Sequence, residues 1–163
     1  MRSLRLAMVR VLMVCLGNIC RSPAAEGVLL AHLERSGLAD AVAVDSAGTG
    51  AYHVGERADR RMREAASRRG YDLASIARAV SDDDFDEFDL ILAMDRENLT
   101  NLQARSDDAD VRLLGEFVPG DEVPDVPDPY YGGGDGFERV LDLIESAMPA
   151  LLDELRSRAK GQR

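Results

Sequence analysis

A cysteine and an arginine six positions later lie in the segment Cys15-Leu16-Gly17-Asn18-Ile19-Cys20-Arg21-Ser22-Pro23. The apolar, β-branched run before Cys15 predicts a buried strand, and Gly17-Asn18 predicts a tight loop after it. Ser22 and Pro23 are typical of the N-cap and first residue of a helix. Backbone N–H groups and the helix dipole at such a junction attract anions, so the segment predicts a cradle for a phosphate group.

The side chains of this segment suit the chemistry of phosphorus. The field that attracts phosphate also favours the thiolate form of Cys15, and the planar guanidinium of Arg21 matches two phosphoryl oxygens. Cysteine is also among the most buried residue types, so Cys15 could instead be an ordinary core residue. The loop and helix signals around it favour the functional interpretation, in which sulfur attacks phosphorus.

A second candidate site follows in the segment Pro127-Asp128-Pro129-Tyr130-Tyr131-Gly132. Phosphoryl transfer through sulfur needs a proton donor for the leaving oxygen and then a base that activates water. Asp128, with its backbone restricted by two prolines, is the best candidate for both roles. The segment could equally be ordinary turn chemistry, and Asp125, three residues earlier, is a rival acid.

These segments belong to a chain in which strands and helices alternate. Apolar runs at 10–15, 41–46, 88–94 and 111–114 predict strands, and a helical stripe covers 137–155. This order predicts one three-layer α/β/α domain with a four-stranded parallel sheet and its active site at the carboxyl ends of the strands. We expect the domain to span 9–157, with flexible termini at 1–8 and 158–163.

Composition narrows the class of partner. The net charge of −10 disfavours nucleic acid, and the chain has no 18-residue apolar run that predicts a membrane span. The two cysteines are too few and too close together for a secreted disulfide framework, and no adequate signal sequence precedes the first strand, so we expect a cytoplasmic protein. His32 and His53 lack ligand spacing, so we expect no metal and no other cofactor.

The chain resembles the low-molecular-weight protein tyrosine phosphatases from about residue 10 to residue 155. The segments that carry the resemblance are Cys15–Pro23, Asp45–Thr49, Ala77-Arg78, Met94–Asn98 and Asp128–Tyr131. The resemblance implies hydrolysis of protein phosphotyrosine and small aryl phosphates through a phosphocysteine. It also implies a tyrosine-phosphorylated protein as partner and a role in signalling. We further expect a monomer or weak self-association, with Tyr130 or Tyr131 as possible targets of a tyrosine kinase.

The resemblance also assigns roles to residues. Cys15 would be the nucleophile, Arg21 the phosphate ligand, and Asp128 the acid and then the base. Ser22 would donate to the thiolate, Asn18 would bond Ser46, and Asp95 would support the pocket wall near the tyrosines. The phosphate loop would be formed by Leu16, Gly17, Asn18, Ile19, Cys20 and Ser22, and the ring slot by Leu16, Tyr52, Tyr130 and Tyr131. Many members carry a histidine where this chain has Ser75, so the groups that back Ser22 are expected to differ here.

Three alternative functions fit the sequence less well. Arsenate reductases with a similar loop relay electrons through distant cysteines, and this chain has only Cys20 beyond the nucleophile. Protein-arginine phosphatases carry threonine where Ile19 stands and a smaller residue in place of Tyr131. A catalytically idle phosphotyrosine-binding module is disfavoured because Cys15, Arg21 and Asp128 are all present.

Cys20 is either a small core residue or a resolving thiol that forms a disulfide with oxidised Cys15.

Overall fold

Four parallel strands form a central sheet in the order β2-β1-β3-β4 within the described residues, 8–131 and 135–161, of a computed structural model. The strands are β1 (Val9–Cys15), β2 (Val42–Gly48), β3 (Leu90–Ala93) and β4 (Val111–Leu113). In the same ranges the helices are α1 (Arg21–Arg35), α2 (Arg60–Ser67), α3 (Asp84–Glu87), α4 (Arg96–Arg105) and α5 (Gly136–Gly161). The predicted four-stranded parallel α/β architecture is confirmed.

Strand β1 is buried on both faces because helices cover the sheet on both sides. Alternate residues of β1 point into two separate cores: Val11 and Met13 into one, Leu12 and Val14 into the other. Helices α1, α2 and α5 supply apolar side chains to the first core, and α3 and α4 supply them to the second. This packing explains why β1 is apolar without interruption from Val11 to Cys15.

The strand order places the site. The chain leaves β1 for β2 on one side and later returns to β3 on the other, so the loops after β1 and β3 diverge at the carboxyl end of the sheet. Open parallel sheets bind ligands in the crevice formed at such a point. Cys15 is the last residue of β1, and Met94 and Asp95 directly follow β3. The topology therefore brings segments that are 80 residues apart in sequence to one edge.

The end of the domain lies beyond the predicted boundary at residue 157. Helix α5 continues to Gly161, because Arg158 forms ion pairs with Asp110 and Glu154 and Ala159 is buried. The expectation of a flexible segment from residue 158 is therefore wrong for 158–161. Of the expected flexible N-terminal segment 1–8, residues 1–7 lie outside the described residues, as do the last two residues of the chain.

Helix α5 is the longest helix in these ranges, with 26 residues. Its apolar residues, among them Val140, Leu141, Ile144 and Leu151, are fully buried against the sheet, and charged residues occupy the opposite face. No helix in the described part of the chain is long and apolar enough to cross a bilayer. The apolar stripe of α5 is thus accounted for by packing in the core.

Candidate active site

The loop between β1 and α1 joins a strand to a helix as predicted, but the helix begins two residues earlier than expected. Helix α1 starts at Arg21, and no side chain caps it at position 20. Ser22 is therefore the second helical residue and not the N-cap. Its hydroxyl lies 3.0 Å from the sulfur of Cys15. The serine that the sequence assigns to capping thus contacts the candidate nucleophile.

The sulfur of Cys15 has two hydrogen-bonding neighbours in the loop. Besides the Ser22 hydroxyl, the backbone N–H of Asn18 donates to the sulfur at 3.3 Å. Asn18 adopts a left-handed conformation, with φ of 58°. Asparagine tolerates this region better than most residues, and here the turn points its N–H at the sulfur. The sulfur therefore has two polar neighbours within the loop.

The side chain of Asn18 fixes the direction of the Ser22 hydroxyl. Its amide nitrogen donates to Ser22 Oγ at 2.8 Å and to Ser46 Oγ at 3.0 Å, so both amide hydrogens are used. Since Ser22 Oγ accepts from Asn18, the hydroxyl hydrogen of Ser22 is available to the sulfur. The amide oxygen of Asn18 accepts from the backbone N–H of Arg78 at 3.0 Å. The predicted bond between Asn18 and Ser46 is present, and it belongs to a larger network.

Glu26 lies at the far end of this network, and the sequence analysis did not identify it. The Ser46 hydroxyl donates to Glu26 Oε1 at 2.6 Å. Burial raises the pKa of the Glu26 carboxyl, although the hydrogen bond from Ser46 opposes the shift. Ser75 makes no side-chain hydrogen bond in the described part of the chain. The groups that back Ser22 are therefore Asn18, Ser46 and Glu26.

Arg78 anchors the loop from outside, and only its resemblance to a family motif marks it in the sequence. Its guanidinium forms ion pairs with Asp45 at 3.0 Å and with Asp84 at 2.9 Å. Its backbone N–H donates to Asn18, and its carbonyl accepts from Gly48 N–H at 2.8 Å. The position of Asn18 is thus tied to the end of β2.

Arg21 is a buried cation, with only 3% of its surface exposed. Its Nη1 donates to Asp95 Oδ2 at 2.6 Å and to the Val126 carbonyl at 3.2 Å. Burial disfavours the charged guanidinium, but the Cys15 sulfur and the Asp95 carboxylate outweigh this, so the pKa of Arg21 is raised. Arg21 is therefore a fixed positive charge at the floor of the cradle.

Asp95 lies directly beside Arg21, a contact that the sequence does not predict. We expected it to support the pocket wall near the tyrosines. In the structure one carboxylate oxygen contacts Arg21, and the other caps helix α4 by accepting from Asn98 N–H at 2.8 Å. The side chain of Tyr131 lies outside the described residues. Asp95 thus supports the phosphate-binding arginine directly.

The structure separates the two rival acids. Asp128 lines the pocket, and its Oδ2 lies 3.6 Å from Nη2 of Arg21. Its other oxygen accepts from the Tyr130 N–H at 2.9 Å, which holds the carboxylate in place. Asp125 instead forms a surface ion pair with Arg96 at 2.6 Å and is not among the described residues that line the pocket. Of the two rival acids, Asp128 is the one that lies in the pocket beside Arg21.

These side chains converge on a pocket of about 360 Å³, which is within the range of small-molecule sites. Its rim carries exposed Leu16 and Tyr52, and Tyr130 packs against His53 with ring centroids 6.3 Å apart. His53 was missed as a wall residue, although its place beside Tyr52 in the loop after β2 could have indicated it. The described lining residues are Cys15, Leu16, Gly17, Ile19, Cys20, Arg21, Tyr52, His53, Asp128 and Tyr130.

Cys20 and His53 both line the pocket. Cys20 is buried and unpaired, and burial together with the nearby charges of Asp59, Cys15 and Asp128 raises the pKa of its thiol. His53 contacts Glu56 at 3.0 Å. Across residues 8–131 and 135–161, no three of the His, Cys, Asp and Glu residues are grouped so that they could hold a metal ion.

Comparison with known proteins identifies the family. The family model for low molecular weight phosphotyrosine protein phosphatases matches residues 10–161. A low molecular weight protein-tyrosine-phosphatase of Streptomyces coelicolor is 44% identical over 160 residues, which cover 94% of this chain and 97% of that relative.

Solved structures agree with this assignment. A protein tyrosine phosphatase of Entamoeba histolytica superposes with a TM-score of 0.88 at 43% identity, covering 91% of this chain and 97% of the other. A Drosophila arginine phosphatase also superposes, with a TM-score of 0.83 at 32% identity over 88% of this chain and 96% of the other. The chain belongs to the low molecular weight phosphotyrosine protein phosphatases, a family of cysteine-dependent hydrolases.

Proposed function

We propose that this protein hydrolyses phosphotyrosine in proteins, and small aryl phosphates, through a phosphocysteine intermediate. The observation that carries the proposal is the convergence of three groups in one pocket: the Cys15 sulfur, the Arg21 guanidinium and the Asp128 carboxylate. These supply a nucleophile, a ligand for the phosphoryl oxygens and a group that exchanges protons. No further catalytic group is needed for the reaction.

The first step is attack by sulfur. The Ser22 hydroxyl and the Asn18 N–H donate to the Cys15 sulfur, and the backbone N–H groups of the loop donate to the phosphoryl oxygens. A bond forms between sulfur and phosphorus while the bond from phosphorus to the tyrosyl oxygen breaks. Asp95 and the Val126 carbonyl hold the Arg21 guanidinium in place while negative charge shifts from sulfur to the leaving oxygen. The remaining N–H groups of Arg21 therefore stay directed at the phosphoryl group.

Asp128 serves both halves of the reaction. In its protonated form it gives a proton to the leaving tyrosyl oxygen, which is a poor leaving group as a phenolate near neutral pH. The resulting carboxylate then takes a proton from water as that water attacks the phosphocysteine. The sulfur–phosphorus bond breaks, inorganic phosphate leaves, and the thiolate of Cys15 returns. One carboxyl group beside Arg21 is sufficient for both transfers.

The walls of the pocket favour an aromatic ester. Leu16, Tyr52 and Tyr130 surround its entrance with apolar and aromatic surface, which suits a flat ring stacked between side chains. Ile19 also lines the pocket, and its branched apolar side chain offers no hydroxyl to a guanidinium. This observation favours phosphotyrosine over phosphoarginine, although an arginine phosphatase shares the fold.

The cellular setting follows from the same chemistry. We propose a cytoplasmic enzyme that acts in signalling, since both cysteines are unpaired, as is usual in a reducing compartment. Tyr130 is 40% exposed at the pocket entrance and is a candidate acceptor for a tyrosine kinase, as is Tyr131. Phosphopeptide mapping after treatment with a tyrosine kinase tests that assignment.

The substrate class is tested with three matched peptides that carry phosphotyrosine, phosphoserine or phosphoarginine in the same sequence. Phosphate release should be fastest from phosphotyrosine, because the aromatic slot and Ile19 select a neutral ring. The Cys15→Ser variant should release no phosphate above background from any of them. Faster release from phosphoarginine would contradict the proposed substrate, and residual turnover by Cys15→Ser would move the nucleophile elsewhere.

The proton donor is tested with a series of aryl phosphates whose phenols differ in acidity. Asp128→Ala should slow turnover by about 10²–10⁴-fold for a phosphotyrosine peptide, and the deficit should shrink as the phenol becomes more acidic. A weakly basic leaving group needs the proton less, and a folding defect would lower all rates equally. Asp125→Ala is the matched control and should show a mild loss that is independent of the leaving group. An exchange of these two behaviours would assign the acid to Asp125.

Cys20 is proposed as a redox partner of the nucleophile. Its raised thiol pKa keeps Cys20 protonated, so peroxide should oxidise the Cys15 thiolate first. The sulfenic acid formed on Cys15 can then condense with the Cys20 thiol to a disulfide, releasing water. This disulfide would protect Cys15 from irreversible oxidation.

Recovery after oxidation measures this protection. Each protein is treated with peroxide and then with a thiol, and the recovered activity is expressed as a fraction of its own starting value. Cys20→Ser and Cys20→Ala should both recover a smaller fraction than the unmodified protein. Equal recovery in all three proteins would leave Cys20 with a purely structural role.

A further inference from the structure

A second cavity adjoins the catalytic pocket and is lined by arginines. It measures about 430 Å³ and shares Ile19, His53 and Tyr130 with the catalytic pocket, so the two cavities have a common wall. Its far side carries Arg57, Arg60 and Arg63. We call this cavity the arginine cleft. When the phosphotyrosine of a substrate occupies the catalytic pocket, the residues next to it in the substrate sequence would lie along this common wall.

The charge of the cleft is opposite to that of the protein. The chain carries 30 acidic residues, 20 basic residues and a net charge of −10, yet positions 57, 60, 61 and 63 are all arginine. Of the two carboxylates in its lining, Asp59 forms an ion pair with Arg61 at 3.0 Å, and Glu56 lies 3.0 Å from His53. The lining carries three arginines and two carboxylates, so the cleft has a local excess of positive charge in a protein whose net charge is negative.

Arg57 and Arg63 account for this excess of positive charge. Within the described part of the chain, neither Arg57 nor Arg63 forms a salt bridge. Arg60 lies 3.8 Å from Glu64 in an exposed pair, which is weak in water. Arg57 and Arg63 also line a further surface depression beyond the cleft, so both are open to solvent on more than one side. Their guanidinium groups are free to accept an anionic ligand.

The cleft is held rigidly beside the phosphate loop. The Asp59 N–H donates to the Ile19 carbonyl at 2.8 Å, and Arg63 Nε donates to the Ala58 carbonyl at 2.9 Å. Asp59 also caps α2 through its side chain, which fixes the start of the helix that carries Arg63. The start of α2 and the Arg63 side chain are thus positioned in advance relative to the catalytic pocket, which lowers the entropic cost of binding there.

We propose that the arginine cleft binds an anionic side chain of the substrate, a carboxylate or a second phosphate, within a few residues of the phosphotyrosine. The proposal rests on the proposed function and adds to it a preference for acidic or doubly phosphorylated sequences. Its physical basis is the pairing of Arg57 and Arg63 with an anion in a cavity continuous with the reacting site. Exposed ion pairs are worth up to about 1 kcal/mol each, so the preference amounts to about three- to tenfold in kcat/KM.

Peptide kinetics test the cleft without disturbing the catalytic pocket. The substrates are phosphotyrosine peptides with glutamine, with glutamate or with a second phosphotyrosine at flanking positions, together with p-nitrophenyl phosphate. The unmodified enzyme should prefer an anionic peptide about three- to tenfold, mainly through KM, and the preference should fall as salt screens the charges. The glutamate and phosphotyrosine peptides show which anion the cleft takes.

The variant Arg57→Gln/Arg63→Gln should lose this preference while keeping its rates with the glutamine peptide and with p-nitrophenyl phosphate. Arg156→Gln, which removes an exposed arginine of α5, is the matched control and should retain the preference. Equal losses on neutral and anionic peptides, or an unmodified enzyme with no preference, would overturn the cleft proposal. If the unmodified enzyme hydrolyses no phosphotyrosine peptide, the proposed function fails instead, so the two failures are distinguishable.

Discussion

The left-handed turn at Asn18 is the constraint on which the rest of the site depends. Its backbone N–H donates to the Cys15 sulfur, and its side-chain amide donates one hydrogen to the Ser22 hydroxyl and the other to the Ser46 hydroxyl. The hydroxyl of Ser22 is thereby left to serve the sulfur. Glycine would permit the same turn but would supply none of the side-chain bonds. The loop conformation and the stabilisation of the nucleophile therefore have a common origin.

A second constraint is the placement of charge around Arg21. A buried guanidinium is costly unless it is paired, and here Asp95 and the Val126 carbonyl hold one side of it. The other side faces the pocket, where Asp128 lies 3.6 Å away. In the proposed mechanism the fixed cation binds the phosphoryl group without reorganising during the reaction, and Asp128 lies next to the atoms that need its proton.

Local signals in the sequence predict the strand and the loop after it, and they single out Cys15, Arg21 and, with Asp125 as a rival, Asp128. Features set by distant contacts were not predicted. The local residue pattern assigns Ser22 to capping, and only the family resemblance implies that its hydroxyl contacts the Cys15 sulfur. Glu26 resembles any polar residue of a helix, and its burial against Ser46 becomes visible only when α1 packs on the sheet. The end of α5 was placed too early, since the ion pair between Arg158 and Asp110 joins elements 48 residues apart.

Trapping the phosphoryl group on the enzyme tests the central claim, that sulfur attacks phosphorus, most directly. The Asp128→Ala variant is mixed with p-nitrophenyl phosphate, whose acidic phenol leaves without help, while hydrolysis of the intermediate lacks its base and slows. The reaction is stopped by rapid denaturation, and peptides are analysed by mass spectrometry. The account predicts one phosphoryl group on the peptide that contains Cys15, located on that sulfur and absent from the Cys15→Ser variant. Phosphate on another residue, or p-nitrophenol release at these times with no phosphorylated enzyme, would contradict it.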